Sequence, residues 1–216
     1  MSKMSNVFNI NDDEFKFLSE MVQDAKVEKK SNSIEFDLIG DNEQTTLLSQ
    51  LKLADNLQIT ANFGRHRLVF PVQLKQGDFA NFSMVLQSPK IFEQGDCLRS
   101  WRLLADNDIC LTDKGGKILN YHVKDISASG ISLLIDNEEH ADFPEHLNNI
   151  YLQLPNNERL AISATQIRRI DDKTVAYMLR SSLDDTVLTS LIKYLFECHS
   201  RQFPDVYKNK KNWTII

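Results

Sequence analysis

The sequence is poor in the residues that mark fibrous, disulfide-linked or low-complexity chains. It has only seven glycines and five prolines among 216 residues, too few for a collagen-like or low-complexity protein. Its three cysteines, Cys97, Cys110 and Cys198, fit neither a closed disulfide framework nor a zinc motif, so we interpret them as packing residues in a reducing compartment. Hydrophobic residues make up 42% of the chain, which excludes disorder for most of it.

The chain also lacks long apolar runs and an excess of positive charge. No run reaches the roughly 18–20 residues that a membrane span needs, and the first residues lack the apolar stretch of a signal peptide. With 25 basic and 30 acidic side chains, the net charge is −5, which disfavours a general nucleic-acid-binding protein. The sequence therefore predicts a cytoplasmic protein with no membrane span and no DNA or RNA partner.

Charge is unevenly distributed along the chain. Residues 1–62 carry six basic and eleven acidic groups, a net of −5; residues 63–102 carry six and three, a net of +3; residues 103–216 carry thirteen and sixteen, a net of −3. A solvated face explains most such clusters. The alternative is an anion site, because guanidinium groups pair with phosphate and stack on planar rings. The positive segment contains Arg65, His66, Arg67, Arg99 and Arg102.

Hydrophobic spacing predicts two β-rich parts. In the first part, an amphipathic helix is expected over about 12–28 and a short helix over 41–54. Alternating apolar residues predict strands at 33–39, 57–61, 67–74 and 82–86. Pro89 and Gly95 then interrupt the pattern, and we interpret 89–98 as a linker.

The second part has regular turn signals between short apolar runs and ends in a helix. The run of strands suggests a closed or nearly closed barrel, with strands predicted at 101–104, 109–111, 117–124, 131–135, 150–154, 160–167 and 174–179. A capping-box pattern at 182–185 precedes an apolar stripe with helical spacing. The predicted organisation is a helix-plus-β domain, a linker, a barrel domain and a tail, at 1–88, 89–98, 99–203 and 204–216.

No catalytic motif is present. The sequence has no His-Glu-x-x-His, no Gly-x-Ser-x-Gly and no phosphate-binding Gly-x-x-x-x-Gly-Lys-Ser/Thr. His140 and His146 lie in an acidic segment, where a weak metal site and a metal-assisted hydrolase are a distant alternative to a solvated loop. We therefore expect no enzyme, no catalytic residue and no metal.

An Asp-x-Ser-x-x-Gly pattern lies between two predicted strands, with Asp125, Ser127 and Gly130 at its fixed positions. Arg99 and Arg102 precede the barrel, and Ile-Arg-Arg-Ile at 167–170 is followed by a strand and a closing helix. Over about 90–200 the sequence resembles the PilZ family, whose pattern is Arg-x-x-x-Arg before the barrel and Asp/Asn-x-Ser-x-x-Gly within it. The β-rich part ahead of it resembles, by layout, the flagellar-brake proteins.

The resemblance implies a mainly β protein with flanking helices: an N-terminal helix with a small β-barrel-like domain, then a six-stranded antiparallel barrel with a C-terminal helix. It implies cyclic di-GMP as ligand. It also implies a bacterial signalling role in motility, adhesion or biofilm control, exerted by domain reorientation on a flagellar, pilus or regulatory protein partner. The implied ligand-binding residues are Arg99, Arg102, Asp125, Ser127 and Gly130.

The chain departs from the family pattern at its first arginine. Four positions before Arg102 stands Leu98, and Arg99 is three positions before it. In an extended segment, a one-residue slip turns a side chain to the other face. Arg65, Arg67 or Arg168 are candidates to compensate. The alternative reading is a degenerate PilZ-like adaptor that binds a protein partner without nucleotide.

Overall fold

The computed structural model describes residues 27–30, 33–38, 49, 51, 56–76, 82–105, 108–135, 143–180 and 185–205. They divide into two compact units. Described residues up to 62 and those in 68–88 belong to the first unit, and residues 63–67 belong with 89–205 to the second. The domain limits predicted from the sequence are not the same quantity as this division into units, and they stay a prediction.

The first unit is a β-sheet built from alternating sequences. Strands β1, β2, β5 and β4 pair antiparallel in that order, and β3 pairs with β4. Leu68 and Phe70 of β4 and Met84 of β5 are buried, because alternate residues of a strand point to the same face. The strands are β1 (Val27–Lys30), β2 (Ser33–Leu38), β3 (Gln58–Phe63), β4 (His66–Gln76) and β5 (Phe82–Gln87).

The second unit contains a short hairpin and a closed six-stranded antiparallel barrel. The ring runs β10-β11-β14-β13-β12-β9 and closes on β10, and β8 pairs with β10 outside the ring. The hairpin is β6 (Lys90–Gln94) and β7 (Leu98–Ser100). The other strands are β8 (Leu103–Leu104), β9 (Cys110–Thr112), β10 (Ile118–Ile126), β11 (Gly130–Leu134), β12 (His146–Gln153), β13 (Arg159–Arg169) and β14 (Thr174–Leu179). The predicted barrel is confirmed.

Large apolar side chains fill the barrel. Large core side chains that are at most 1% exposed include Leu111, Ile126, Ile131, Leu133, Leu152, Val175 and Tyr177. The Tyr177 hydroxyl donates to the Pro144 carbonyl oxygen at 2.8 Å. Burial, with a smaller effect from Tyr121, raises the pKa of Tyr177 to about 12. This tyrosine therefore stays neutral and serves as a packing residue with one satisfied polar group.

The C-terminal helix predicted from the capping-box pattern is present as α1 (Asp185–Gln202). An acid, Asp185, lies in its first turn and basic groups lie in its last turn, which complements the helix dipole. Its buried face contacts β6, β8 and β13 and comprises Leu191, Ile192, Tyr194, Leu195, Cys198 and His199.

A cluster of four rings lies near the end of α1. The His199 ring centroid is 4.7 Å from that of His66, 4.8 Å from that of Trp101 and 4.7 Å from that of Phe203. His66 and His199 are buried. Burial and the nearby His66 lower the pKa of His199 to about 4, and burial and Arg65 also lower the pKa of His66. Both rings are therefore neutral at pH 7.

Two sequence-based expectations need correction. Residues 89–98, interpreted as a linker, contain β6 and the first residue of β7. The helix expected over 12–28 lies outside the described residues, except that Val27 and Glu28 belong to β1. In the expected helix over 41–54, the described Ser49 and Leu51 are helical. The four strands predicted in the first part of the chain are confirmed as β2, β3, β4 and β5, within a few residues at their ends.

Candidate functional site

The turn between β10 and β11 is organised by the hydroxyl of Ser127, which is fully buried. Its Oγ accepts from the backbone N–H of Gly130 at 3.1 Å and of Ser129 at 3.3 Å, and donates to the Gly130 carbonyl oxygen at 3.2 Å. The Ser127 N–H also donates to that carbonyl oxygen, at 2.8 Å. One serine therefore satisfies the turn's polar groups, because a hydroxyl can donate once and accept twice.

Gly130 begins β11 at a point with no room for a side chain. A Cβ there would lie 2.5 Å from the carbonyl oxygen of Tyr177 on β14 and 3.8 Å from Nη2 of Arg102. The first distance is far below van der Waals contact. The glycine therefore lets β11 and β14 pair closely, with the Arg102 guanidinium near the same point.

Arg102 and Asp125 form an ion pair at this turn, from Nη1 to Oδ1. The Asp125 side chain is 14% exposed and that of Arg102 is 36% exposed. Trp101, the residue directly before Arg102, is buried, and its N–H donates to the Ile91 carbonyl oxygen at 2.9 Å. Because a guanidinium has five N–H donors, Arg102 keeps donors available for a ligand while it is bound to Asp125.

The two faces of β7 have different neighbours. Ser100 contacts the β10–β11 turn, where its Oγ accepts from Ser129 Oγ at 3.1 Å. Alternate residues of a strand share a face, so Leu98 lies on the face of Ser100 and Arg99 on the opposite one. Leu98, which is four positions before Arg102, is 50% exposed.

Arg99 pairs with a carboxylate that the sequence analysis did not single out. Its Nη2 lies 3.2 Å from Oε2 of Glu93, the residue opposite it in the β6–β7 hairpin. Nε of Arg65 lies 3.4 Å from Oε1 of the same Glu93. The structure thus brings Arg102, Asp125, Ser127 and Gly130 together and places Arg99 on a separate ion pair. Their roles in binding stay a prediction.

A further arginine lies beside the turn. Nε of Arg180, directly after β14, donates to Thr165 Oγ1 at 3.2 Å. No motif indicated this residue, because it stands 50 positions after Gly130 and comes near it only through strand pairing. Arg168, considered from sequence as a compensating arginine, is exposed and pairs with Ala176 across β13 and β14.

The histidines that the sequence analysis considered for a metal site do not form such a site among the described residues. No cluster of three or more His, Cys, Asp or Glu side chains is found among the described residues. His146 is exposed at the start of β12, and His140 lies outside the described residues. A concavity of about 830 Å³, lined in part by Leu103, Tyr194 and Glu197, contains none of the five predicted site residues. No described helix is long and apolar enough to cross a membrane.

Comparison with known proteins gives matches among solved structures. No family model matches the chain, and no curated protein matches it. MrkH of K. pneumonia in its apo state matches with 13% identity over 88% of this chain and 94% of its own, at a TM-score of 0.38. YcgR of Escherichia coli in complex with c-di-GMP matches with 18% identity over 84% and 81%, at 0.37. The Bacillus subtilis inhibitor of motility, MotI/DgrA, matches with 14% identity over 83% and 76%, at 0.35.

Proposed function

We propose that this protein is a cytoplasmic receptor for cyclic di-GMP and not an enzyme. The observation that supports it best is the Arg102–Asp125 ion pair beside the Ser127–Gly130 turn on the barrel. These are the residues of the two sequence patterns, and they lie 23 positions apart in the chain. Their meeting provides a cation and an anion in one place, beside a turn that a glycine begins.

The chemistry of this group suits a guanine nucleotide. Guanine presents O6 and N7 as acceptors, and an arginine fork can donate to both. The guanine N–H donors need an acceptor, which the Asp125 carboxylate supplies and a basic side chain cannot. The remaining charge of Arg102 would offset a phosphate. Gly130 allows a base to approach the backbone without a Cβ in the way.

Signal output is proposed to follow from binding rather than from catalysis. Suppose that the ligand binds one conformation of the protein more tightly than another, because it contacts Arg102 better there. Binding then shifts the population of molecules toward that conformation. We propose that this shift reorients the domains and changes the surface offered to a protein partner in motility, adhesion or biofilm control. No metal or other cofactor takes part.

The test is a calorimetric titration of the full chain with cyclic di-GMP. Arg102→Ala and Asp125→Ala are compared with the wild type, and Arg159→Ala serves as the control. Arg159 is the first residue of β13, and its Nη2 donates to the Thr112 hydroxyl at 3.4 Å. A lost charged hydrogen bond costs about 1.5–3 kcal/mol, or roughly tenfold to a hundredfold in affinity. Absence of saturation for the wild type at high micromolar nucleotide would refute the receptor.

The Arg99–Glu93 ion pair favours a second candidate function. If Arg99 stays on Glu93, the family's first arginine has no equivalent at its place, and the protein acts as an adaptor that binds its partner without nucleotide. Partner capture that is independent of cyclic di-GMP and unaffected by Asp125→Ala would support this function. Capture that requires the nucleotide would count against it.

A further inference from the structure

Strand pairing places Arg180 two residues beyond Met178, the residue opposite the motif glycine. Gly130 of β11 lies directly opposite Met178 of β14, and the Leu179 N–H donates to the Ser129 carbonyl oxygen at 3.0 Å. Arg180 is two residues beyond Met178 and therefore points to the same face. A diagonal neighbour of this kind lies about 7–8 Å away across a strand pair, and the Arg180 side chain extends from there toward β13, where Thr165 accepts from its Nε.

The position of Arg180 is fixed from two sides. Its backbone N–H donates to the Ser163 carbonyl oxygen at 2.9 Å, and its Nε donates to Thr165 Oγ1 at 3.2 Å. Thr165 is itself the residue opposite Met178 on β13. Because Nε is the donor used, both Nη groups of this partly buried arginine remain available for a ligand.

The two guanidinium groups are held on different strands, that of Arg102 by Asp125 of β10 and that of Arg180 by Thr165 of β13. Nη2 of Arg102 lies 3.8 Å from the place of a Cβ on Gly130 and is held by Asp125 of β10. Arg180 comes from the β14 side. Met178, 52% exposed, lies directly opposite Gly130 and offers an apolar surface with a polarisable sulfur that suits a planar base.

We propose that Arg180 is a binding residue of this site and supplies the second guanidinium that the displaced Arg99 does not. The inference rests on the proposed function. Arg102 and Arg180 contact the cyclic dinucleotide from opposite sides of Gly130, and a base packs on Met178. The two positive groups match a ligand with two phosphates, whose charges need separate partners.

The experiment is a titration of the full chain with cyclic di-GMP for wild type, Arg180→Ala, Arg180→Lys, Arg102→Ala and Arg159→Ala. We expect Arg180→Ala to weaken binding about tenfold to a hundredfold. Arg180→Lys should fall between it and the wild type, because lysine keeps the charge but loses the fork. Arg159→Ala, which removes an arginine six residues before Thr165 on β13, should bind as the wild type does.

Thermal melting of each variant separates lost binding from lost folding. Arg180→Lys keeps the volume of the side chain and so keeps the test valid if Arg180→Ala unfolds. Wild-type affinity in both Arg180 variants, together with weakened binding by Arg102→Ala, overturns the role of Arg180 and leaves the receptor intact. No binding by the wild type overturns the receptor, and the role of Arg180 with it.

Discussion

Gly130 and Tyr177 approach so closely that a Cβ on the glycine would lie 2.5 Å from the tyrosine carbonyl oxygen. The carbonyl belongs to the backbone of β14, which is held in the barrel by pairing with β11 and β13. It has no flexible end that can swing away. The smallest residue at position 130 is thus required by the barrel before any ligand is considered.

Gly130→Ala should therefore destabilise the barrel. The inserted methyl group forces β11 and β14 apart, and overpacking of this kind costs about 1–3 kcal/mol. Urea denaturation measures the change in the free energy of unfolding. Gly95→Ala is the control, because a Cβ there would meet only the Cys97 carbonyl oxygen, at 4.0 Å. Equal midpoints for the two variants would contradict the prediction.

Ser127→Ala should loosen the β10–β11 turn. The substitution removes the buried acceptor of the Ser129 and Gly130 N–H groups, and leaving such groups unsatisfied costs about 1–3 kcal/mol. Chemical denaturation checks the size of the loss. Ser200→Ala is the matched control, because that hydroxyl donates to the Glu197 carbonyl oxygen on exposed helix surface. A loss no larger than that of the control would argue against the structural role of Ser127.

Arg99→Ala should weaken nucleotide binding far less than Arg102→Ala. The Arg99 side chain is 66% exposed and paired with Glu93, and an exposed charge of this kind contributes about 0–1 kcal/mol. We expect at most about a fivefold change in the dissociation constant, measured by titration. An effect as large as that of Arg102→Ala would show that Arg99 leaves Glu93 and reaches the ligand.

Acidification should destabilise the ring cluster at the end of α1. The pKa of His199 is lowered to about 4 in the folded protein, from about 6.5 when unfolded. The unfolded chain then binds more protons, so this contribution to stability is complete above pH 6.5 and is lost as the pH falls toward 4. At pH 5 the loss is about 2 kcal/mol for this one group.

Denaturation at pH 7.5 and pH 5, compared between wild type and His199→Phe, isolates this effect. Phenylalanine keeps a ring against Trp101 and Phe203 but does not titrate. The pKa of His66 is lowered as well, by burial and Arg65 and against the opposing effect of Glu93, so part of the pH dependence should persist. An identical loss of stability in both proteins would exclude His199 as its source.

Most strands of the barrel could be predicted because they bury one face. Alternation of apolar and polar residues is a consequence of that burial, and it is visible in β13 without a structure. Strands β11 and β14 are instead short apolar runs that are buried almost throughout. The same holds for α1, whose apolar stripe and acidic first turn follow from local geometry. Strand β1 was missed because three of its four residues, Val-Glu-Lys-Lys, are charged and show no alternation of apolar and polar residues.

The sequence by itself determined most strands of the barrel, its closing helix and the residues of the β10–β11 turn, since each depends on neighbours a few positions apart. The tertiary structure decided which charges meet. The Arg102–Asp125 pair, the sharing of Glu93 by Arg65 and Arg99, and the contact of Arg180 with Thr165 all depend on strand register. Register is set by packing of the whole barrel, so no spacing within the sequence could reveal it.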